Sequence, residues 1–357
     1  MIHPVCPSIK GVSAMTNKAS RFGPFPMGLL IAVAGFAAAC SSNGTSSSPG
    51  SGVPLPSPTP LLTITNFTTG FPAGEPLTAI TTGPDGNFWF ADANGTVGRM
   101  TPSGQVNEIP IYSGNDINDI AAGADGNMWF TVSHVGGAAI GQITPMGLFT
   151  LFFLSGGFPP TSVCKGPDGN VWFTVPTTSV IGRMTPTGTG STFSSGPNSG
   201  PVTIVSGPDG NLWFTEALDH SIGRSTPSGG ITQFVVGPSP HNGFFPGLSD
   251  LAFGSDGQLW FTDSINDTIR RMTTTGVFSE FYAGITPNAG LGAITLGPDG
   301  NMWFAESALN QIGRITPSGT VTELKVSGTP VDITAGPDGN IWFAQISPTG
   351  IGRVKLH

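Results

Sequence analysis

Charge, cysteine and helical periodicity are what this sequence lacks. Only 10% of its 357 residues are charged, and no stretch repeats its apolar residues every three to four positions as an amphipathic helix does. Cysteine occurs three times, at Cys6, Cys40 and Cys164. Cys6 and Cys40 lie in or at the edge of an N-terminal leader, so the folded part holds Cys164 alone and has no disulfide framework. Cys164 sits in an apolar strand pattern with no histidine placed beside it, which makes it a buried, inert thiol rather than a nucleophile. Basic residues are scarce as well. The first forty residues contain Lys10, Lys18 and Arg21 and no acid, so the remainder of the chain is more acidic than the whole at −8. Without a basic stripe to neutralise phosphates, nucleic acid and electrostatic docking on anionic lipid are both excluded. A cationic or neutral ligand is easier to reconcile with this charge, unless the negative charge serves solubility alone.

Glycine and proline, by contrast, number 53 and 33. Scattered at random, they would signal low complexity. Here they recur on a fixed period, as turn punctuation in an all-β protein.

The N-terminus reads as an export signal. Lys18 and Arg21 precede an apolar run from Pro26 to Ala39 that is too short to span a bilayer comfortably. Ala37, Ala38 and Ala39 lead into Cys40, an arrangement similar to the bacterial lipobox, in which the cysteine is acylated and becomes the new N-terminus. Ala37 stands where such boxes usually carry leucine, which keeps ordinary cleavage and release open. Residues 41–61 are rich in Ser, Gly and Pro with no apolar period, a flexible tether. The expected organisation is a signal peptide over 1–40, a tether over 41–61 and a folded domain over 62–357. The protein would be extracytoplasmic, a membrane-anchored lipoprotein of a bacterial cell envelope or a secreted protein.

All seven tryptophans of the chain fall in one motif, GPDGNLWF and its variants, ending at Phe90, Phe130, Phe173, Phe214, Phe261, Phe304 and Phe343. Successive tryptophans are 39 to 47 residues apart, the period of a propeller blade. Within residues 202–235, four short β-rich runs are separated by turn signals. The first two are joined by Asp-Gly, which tolerates the positive φ of a tight hairpin, and the last two by Pro-x-Gly. Adjacent Trp and Phe point to opposite faces of the sheet, so each blade offers an aromatic ring to both neighbours. The last unit ends after its third strand, while LTITNF at 62–67 resembles a fourth strand. The predicted fold is therefore an all-β, seven-bladed β-propeller of four-stranded antiparallel blades, its ring closed by an N-terminal strand that completes the last blade.

In this topology the loops leading into each first strand and following each second strand share one face. The aspartates of the Asp-Gly turns lie on the opposite face in every blade and read as turn formers. The position that follows each WF pair by two residues faces the candidate ligand site: Asp92, Val132, Val175, Glu216, Asp263, Glu306 and Gln345. Glu216, Asp263 and Glu306 come from consecutive blades and suggest an oxygen-lined site near the axis for Mg²⁺ or Ca²⁺, against the alternative of carboxylates on a solvated rim. Arginine recurs in the third strands at Arg99, Arg183, Arg224, Arg314 and Arg353, with Arg270 in a looser TIRR, and serves packing or hydrogen bonding within the blade. The histidines beyond the tether, His134, His220, His241 and His357, recur at no fixed place. His220, beside Asp219 and Glu216, is the weak candidate for a general base. His241 lies in the longest insertion, residues 235–247, which carries Phe244 and Phe245 on the ligand face and is placed to act as a lid over the axis.

The GPDGNLWFTE motif followed by IGRxTPxG, clearest at 207–229 and 297–319, resembles the streptogramin lyases of the virginiamycin B lyase type in every repeat. The resemblance implies a seven-bladed propeller and metal-assisted opening of a cyclic depsipeptide at its ester by elimination. It also implies a histidine two residues before the first-strand Ile in each of the last two blades, a glutamate just upstream and another after the final WF pair. This sequence has Gly292, Val331, Thr329 and Gln345 or Ile346 there. The repeat consensus is scaffold and does not by itself carry the chemistry. The expectation is a monomeric binding module for a small molecule, a glycan or a protein on the loop face, held to a membrane by its lipid. The rivals are a lyase using relocated residues and a different propeller enzyme such as a lactone hydrolase.

Overall fold

The computed structural model describes residues 62–71, 76–111, 116–133 and 137–356. The expectations for the signal peptide, Cys40, the tether, His134 and His357 lie outside the described residues. The chain divides after Ser57, and every described residue belongs to the second compact unit, Pro58–His357.

Seven four-stranded antiparallel sheets succeed one another along the chain. Blade 4 is representative, with strands Pro201–Ser206, Leu212–Glu216, Ser221–Ser225 and Ile231–Val235. The first strands touch in sequence around the axis, and that of blade 7, Thr329–Ala335, touches that of blade 1, Leu77–Thr82. Blade 7 is assembled from both ends of the chain. Its second and third strands, Ile341–Ile346 and Gly350–Lys355, are completed by Thr63–Phe67, which runs antiparallel to the third with Thr63 opposite Lys355 and Phe67 opposite Ile351. The closure read from the sequence is the one observed. Among the described residues, helical structure is limited to two one-turn 3₁₀ segments, and no helix is long and apolar enough to cross a membrane.

The repeat motif explains itself once the blades are stacked. Each second strand is buried throughout, save for Ile346 at the end of that of blade 7, and the seven tryptophans are at most 1% exposed. Trp213 stacks on Phe234 of its own outer strand at 5.6 Å and packs with Leu259 and Phe261 of blade 5. Phe214 faces the other way, into Trp172 of blade 3. Each ring removes roughly 150–250 Å² from water, about 4–6 kcal/mol by area. No blade can bury both faces alone, so the seams between blades are the core.

The Asp-Gly aspartates do more than form turns. Trp89 Nε1 donates to Asp85 Oδ1 at 3.0 Å, and the same bond recurs in all seven blades at 2.9–3.1 Å. The recurring third-strand arginine lies over that indole, as Arg224 does over Trp213 at 5.6 Å. It also reaches the next blade's Pro-x-Gly turn, as when Arg99 Nη1 donates to Pro145 O at 2.7 Å. Strand register corrects one assignment in this set. Arg271, not Arg270, stands opposite Trp260 and lies 3.2 Å from Asp256. Arg270 occupies the preceding position, which is glycine in the other six blades. There the paired phenylalanine covers the glycine so closely that a Cβ on Gly223 would lie 2.1 Å from Phe214.

Candidate ligand face and central channel

The first strands enclose a channel of about 510 Å³ on the axis. The residue just before the buried aliphatic of each first strand reads, in blade order, Ala79, Asp119, Ser162, Thr203, Asp250, Ala293 and Asp332. Sequence reasoning missed the three aspartates, although an acid in an otherwise apolar strand is a visible signal. Each accepts a backbone N–H from the neighbouring blade: Asp119 from Val163 at 2.8 Å, Asp250 from Ile294 at 2.8 Å and Asp332 from Ile80 at 2.7 Å. Asp332 thereby bridges the last blade to the first. Burial pushes the Asp250 carboxyl up to about 7 and the Asp332 carboxyl up to about 8, with repulsion from Asp119 adding to both and repulsion from Asp250 adding to Asp332. Cys164 also lines the channel, and burial raises its thiol far above the ordinary range. That agrees with an inert role.

One residue nearer the loop face along these strands, Gly292 and Val331 line the channel in blades 6 and 7. A Cβ on Gly292 would meet only Ser307 Oγ, at 3.7 Å, so there is room for a larger side chain. Thr329 Oγ1 donates to Asn310 Oδ1 at 2.9 Å, and Gln345 is fully buried with its Nε2 on Pro348 O at 3.3 Å and its Oε1 unpartnered. This donor set is neutral. It does not fit a divalent cation, which takes charged carboxylate oxygens.

The four acids that follow the WF pairs do not stand on a solvated rim, and they do not gather at the axis. Asp92, Glu216, Asp263 and Glu306 are all at most 1% exposed. Glu216, Asp263 and Glu306 meet side chains on the third or fourth strand of their own blades, and Asp92 meets the turn and third strand that follow it. Asp92 Oδ1 accepts the backbone N–H groups of Asn94 and Thr96 and shapes its loop. Glu216 accepts from Gln233 Nε2 at 2.8 Å, and burial together with Asp219 pushes its carboxyl up to about 7. Asp263 pairs with Arg270 Nη2 at 3.0 Å, a buried guanidinium that also meets Glu280 at 3.2 Å. Glu306 receives no hydrogen bond on either oxygen. Burial and the facing carboxylate of Glu323 push it up to about 8. Among the described residues no three His, Cys, Asp or Glu groups stand close enough to share a metal ion. The three-carboxylate arrangement of Glu216, Asp263 and Glu306 near the axis is therefore corrected: the outer-strand partners were invisible in a reading by blade position alone.

The insertion at 235–247 is fastened to blades 4 and 5 and contributes nothing to the channel lining. His220 stacks on Phe245 at 5.2 Å, with its Nδ1 2.9 Å from Pro246 O. Ser239 Oγ donates to Glu280 at 2.7 Å, and Gly247 N donates to Asp263 at 2.9 Å. His241 stacks on Tyr282 at 4.1 Å. His220, the weak candidate for a general base in the sequence, thus holds the insertion through its ring face and its Nδ1. Phe244 and Phe245 remain 64% and 55% exposed on the loop face.

A seven-bladed propeller with Trp-centred seams, a narrow axial channel and a built-up loop face over blades 4 and 5 defines the class. Residues 155–357 match the profile of the virginiamycin B lyase family, and the chain belongs to that family. A streptogramin B lyase structure is 32% identical, covering 83% of this chain and 98% of that one with a TM-score of 0.75. A catalytically inactive histidine-to-alanine variant of virginiamycin B lyase from Staphylococcus aureus, solved with quinupristin, is 31% identical over 83% of this chain and 100% of that one, with a TM-score of 0.76. A hydrazine synthase structure from Kuenenia stuttgartiensis, 13% identical over 80% of this chain and 97% of that one, has a TM-score of 0.67 and shares the fold alone. The comparison with curated proteins finds no match.

Proposed function

We propose that this member of the virginiamycin B lyase family is an exported, lipid-anchored monomer that binds a small molecule, a glycan or a protein on its loop face and does not open depsipeptide rings. The observation that carries this reading is the pair Gly292 and Val331 on the channel wall, where the family resemblance calls for histidines. With Thr329 and Gln345 as neutral neighbours, none of these four positions supplies a base or a charged metal ligand. The exposed rings of Phe244 and Phe245 supply the apolar contact area a binding face needs.

The test is mass spectrometry of a streptogramin B type depsipeptide incubated with the purified mature protein and Mg²⁺. The expected result is intact substrate. Gly292→His, Val331→His, Thr329→Glu and Gln345→Glu combined should then produce the linear product, since the open space at Gly292 accepts the new side chain. Turnover by the unaltered protein would overturn the reading in favour of relocated catalysis. One observation favours that rival: Glu216 and Glu306, raised to about 7 and about 8, titrate in the range useful to an acid or base. Loss of such turnover in Glu306→Ala would then place the chemistry there.

A further inference from the structure

Beside the insertion, on the loop face between blades 5 and 6, lies a separate cavity of about 330 Å³. We propose that it binds a small organic cation, an amidinium, guanidinium or primary ammonium carried on a flat apolar body. One wall is the His241–Tyr282 stack, 16° from parallel, with Tyr282 half exposed. Ile265 adds an exposed apolar edge. Asp267 brings a carboxylate to the cavity, fixed by the Asn288 N–H at 2.7 Å. Asn266 brings an acceptor that the fold leaves idle. It is 4% exposed, its amide nitrogen is committed to Asp263 and to the insertion's carbonyls, and its Oδ1 has no partner. A buried acceptor without a donor is unfavourable, and a ligand N–H that reached it would remove that cost.

Behind the cavity the Glu323 carboxylate has the same sign as Asp267, beside a Glu306 whose carboxyl burial raises to about 8. Glu323 accepts the N–H and the hydroxyl of Thr286, both at 2.6 Å, and so holds the linker whose Ile285 and Pro287 line the cavity. Glu306 faces Glu323 and also feels Asp267. Blade 5 shows how this fold neutralises such a pair, by inserting Arg270 between Asp263 and Glu280. Blade 6 has Gly313 at that position, and the nearby Lys325 donates to Leu309 O at 3.3 Å. A cationic head over an aromatic face gains cation–π attraction as well as the carboxylate contact.

This site rests on the loop face being a binding face only for its location, and its loss leaves the Gly292 reading untouched. The experiment compares benzamidine with its neutral counterpart benzamide on the mature protein by calorimetry, alongside NMR of a tyrosine-labelled sample. The chain has two tyrosines, Tyr112 and Tyr282, so the Tyr282 signal reads the cavity without any substitution. Benzamidine should bind at least about 10-fold more tightly than benzamide, about 1.4 kcal/mol, and should shift Tyr282. Asp267→Asn should erase the preference. Equal affinities, an unmoved Tyr282 signal, or an undiminished preference in Asp267→Asn would each overturn the proposal.

Discussion

Blades 5 and 6 share a backbone and differ in how they keep an acid in the seam. Both place one carboxylate after the WF pair and a second across the sheet on the outer strand: Asp263 with Glu280, and Glu306 with Glu323. Blade 5 spends a glycine to neutralise them. Arg270 enters the third strand and its guanidinium sits between the two acids. Blade 6 keeps the glycine, so Phe304 packs over Gly313, and the two carboxylates face one another with no guanidinium between them. The lesson is that the seam tolerates either good aromatic packing or a buried cation at this point, and that the choice sets the local electrostatics of the loop face.

The comparison can be broken first at its strongest contact. Arg270→Ala strands Asp263 and Glu280 in the seam and should cost about 3–5 kcal/mol, read as a lowered midpoint in urea unfolding. Restoring most of that loss with Asp263→Asn and Glu280→Gln would show that the charge, not the lost packing, was responsible. Next comes the packing side. Gly313→Ala puts a Cβ about 2.1 Å from the Phe304 ring and should cost about 1–3 kcal/mol, with the near-ultraviolet circular dichroism changing as the ring is displaced.

Glu306→Gln sharpens the difference through pH. The folded carboxyl, at about 8, lies above its ordinary 4.5. Below 4.5 both folded and unfolded chains hold the proton and the group is neutral to stability. Between 4.5 and 8 only the folded chain holds it, so stability falls as pH rises, and above 8 the full penalty remains. Glu306→Gln should therefore gain stability over the parent across that window and run parallel to it below pH 4. A parent and variant that track one another through pH 8 would show that Glu306 is not held protonated. The smallest effect is expected at the adjacent arginine. Arg271→Gln should cost under about 1 kcal/mol, because its pair with Asp256 is partly exposed. Blade 2 already uses Gln142 in that role, donating to Asp125 at 2.7 Å.

The architecture was legible in the sequence because the motif that sets the period also makes the seams. Seven WF pairs gave the blade count, and the resemblance of 62–67 to a fourth strand gave the closure. What failed to show was anything that depends on contact across a sheet or between blades. TIRR in blade 5 offers two arginines for one role, and only the pairing of Trp260 with Arg271 decides between them. The acids after the WF pairs look convergent when counted by blade. The residues they meet, Gln233 for Glu216, Arg270 for Asp263 and Glu323 for Glu306, lie one or two strands further out. His220 looked free because the chain that engages it, Phe245 and Pro246, returns from an insertion of no fixed form.

The last blade carries a consequence for the order of assembly. Its outer strand, Thr63–Phe67, is made before every other strand of the propeller, and its pairing partner Gly350–Lys355 after all of them. Through the whole of synthesis that first strand offers unpaired backbone edges and the ring of Phe67, which in the end stacks on Trp342 at 5.3 Å. Joining segments so far apart is slow compared with building a local blade. Six blades can therefore stand as an open arc before the clasp of Thr63–Phe67 and the Asp332–Ile80 bond shut it together.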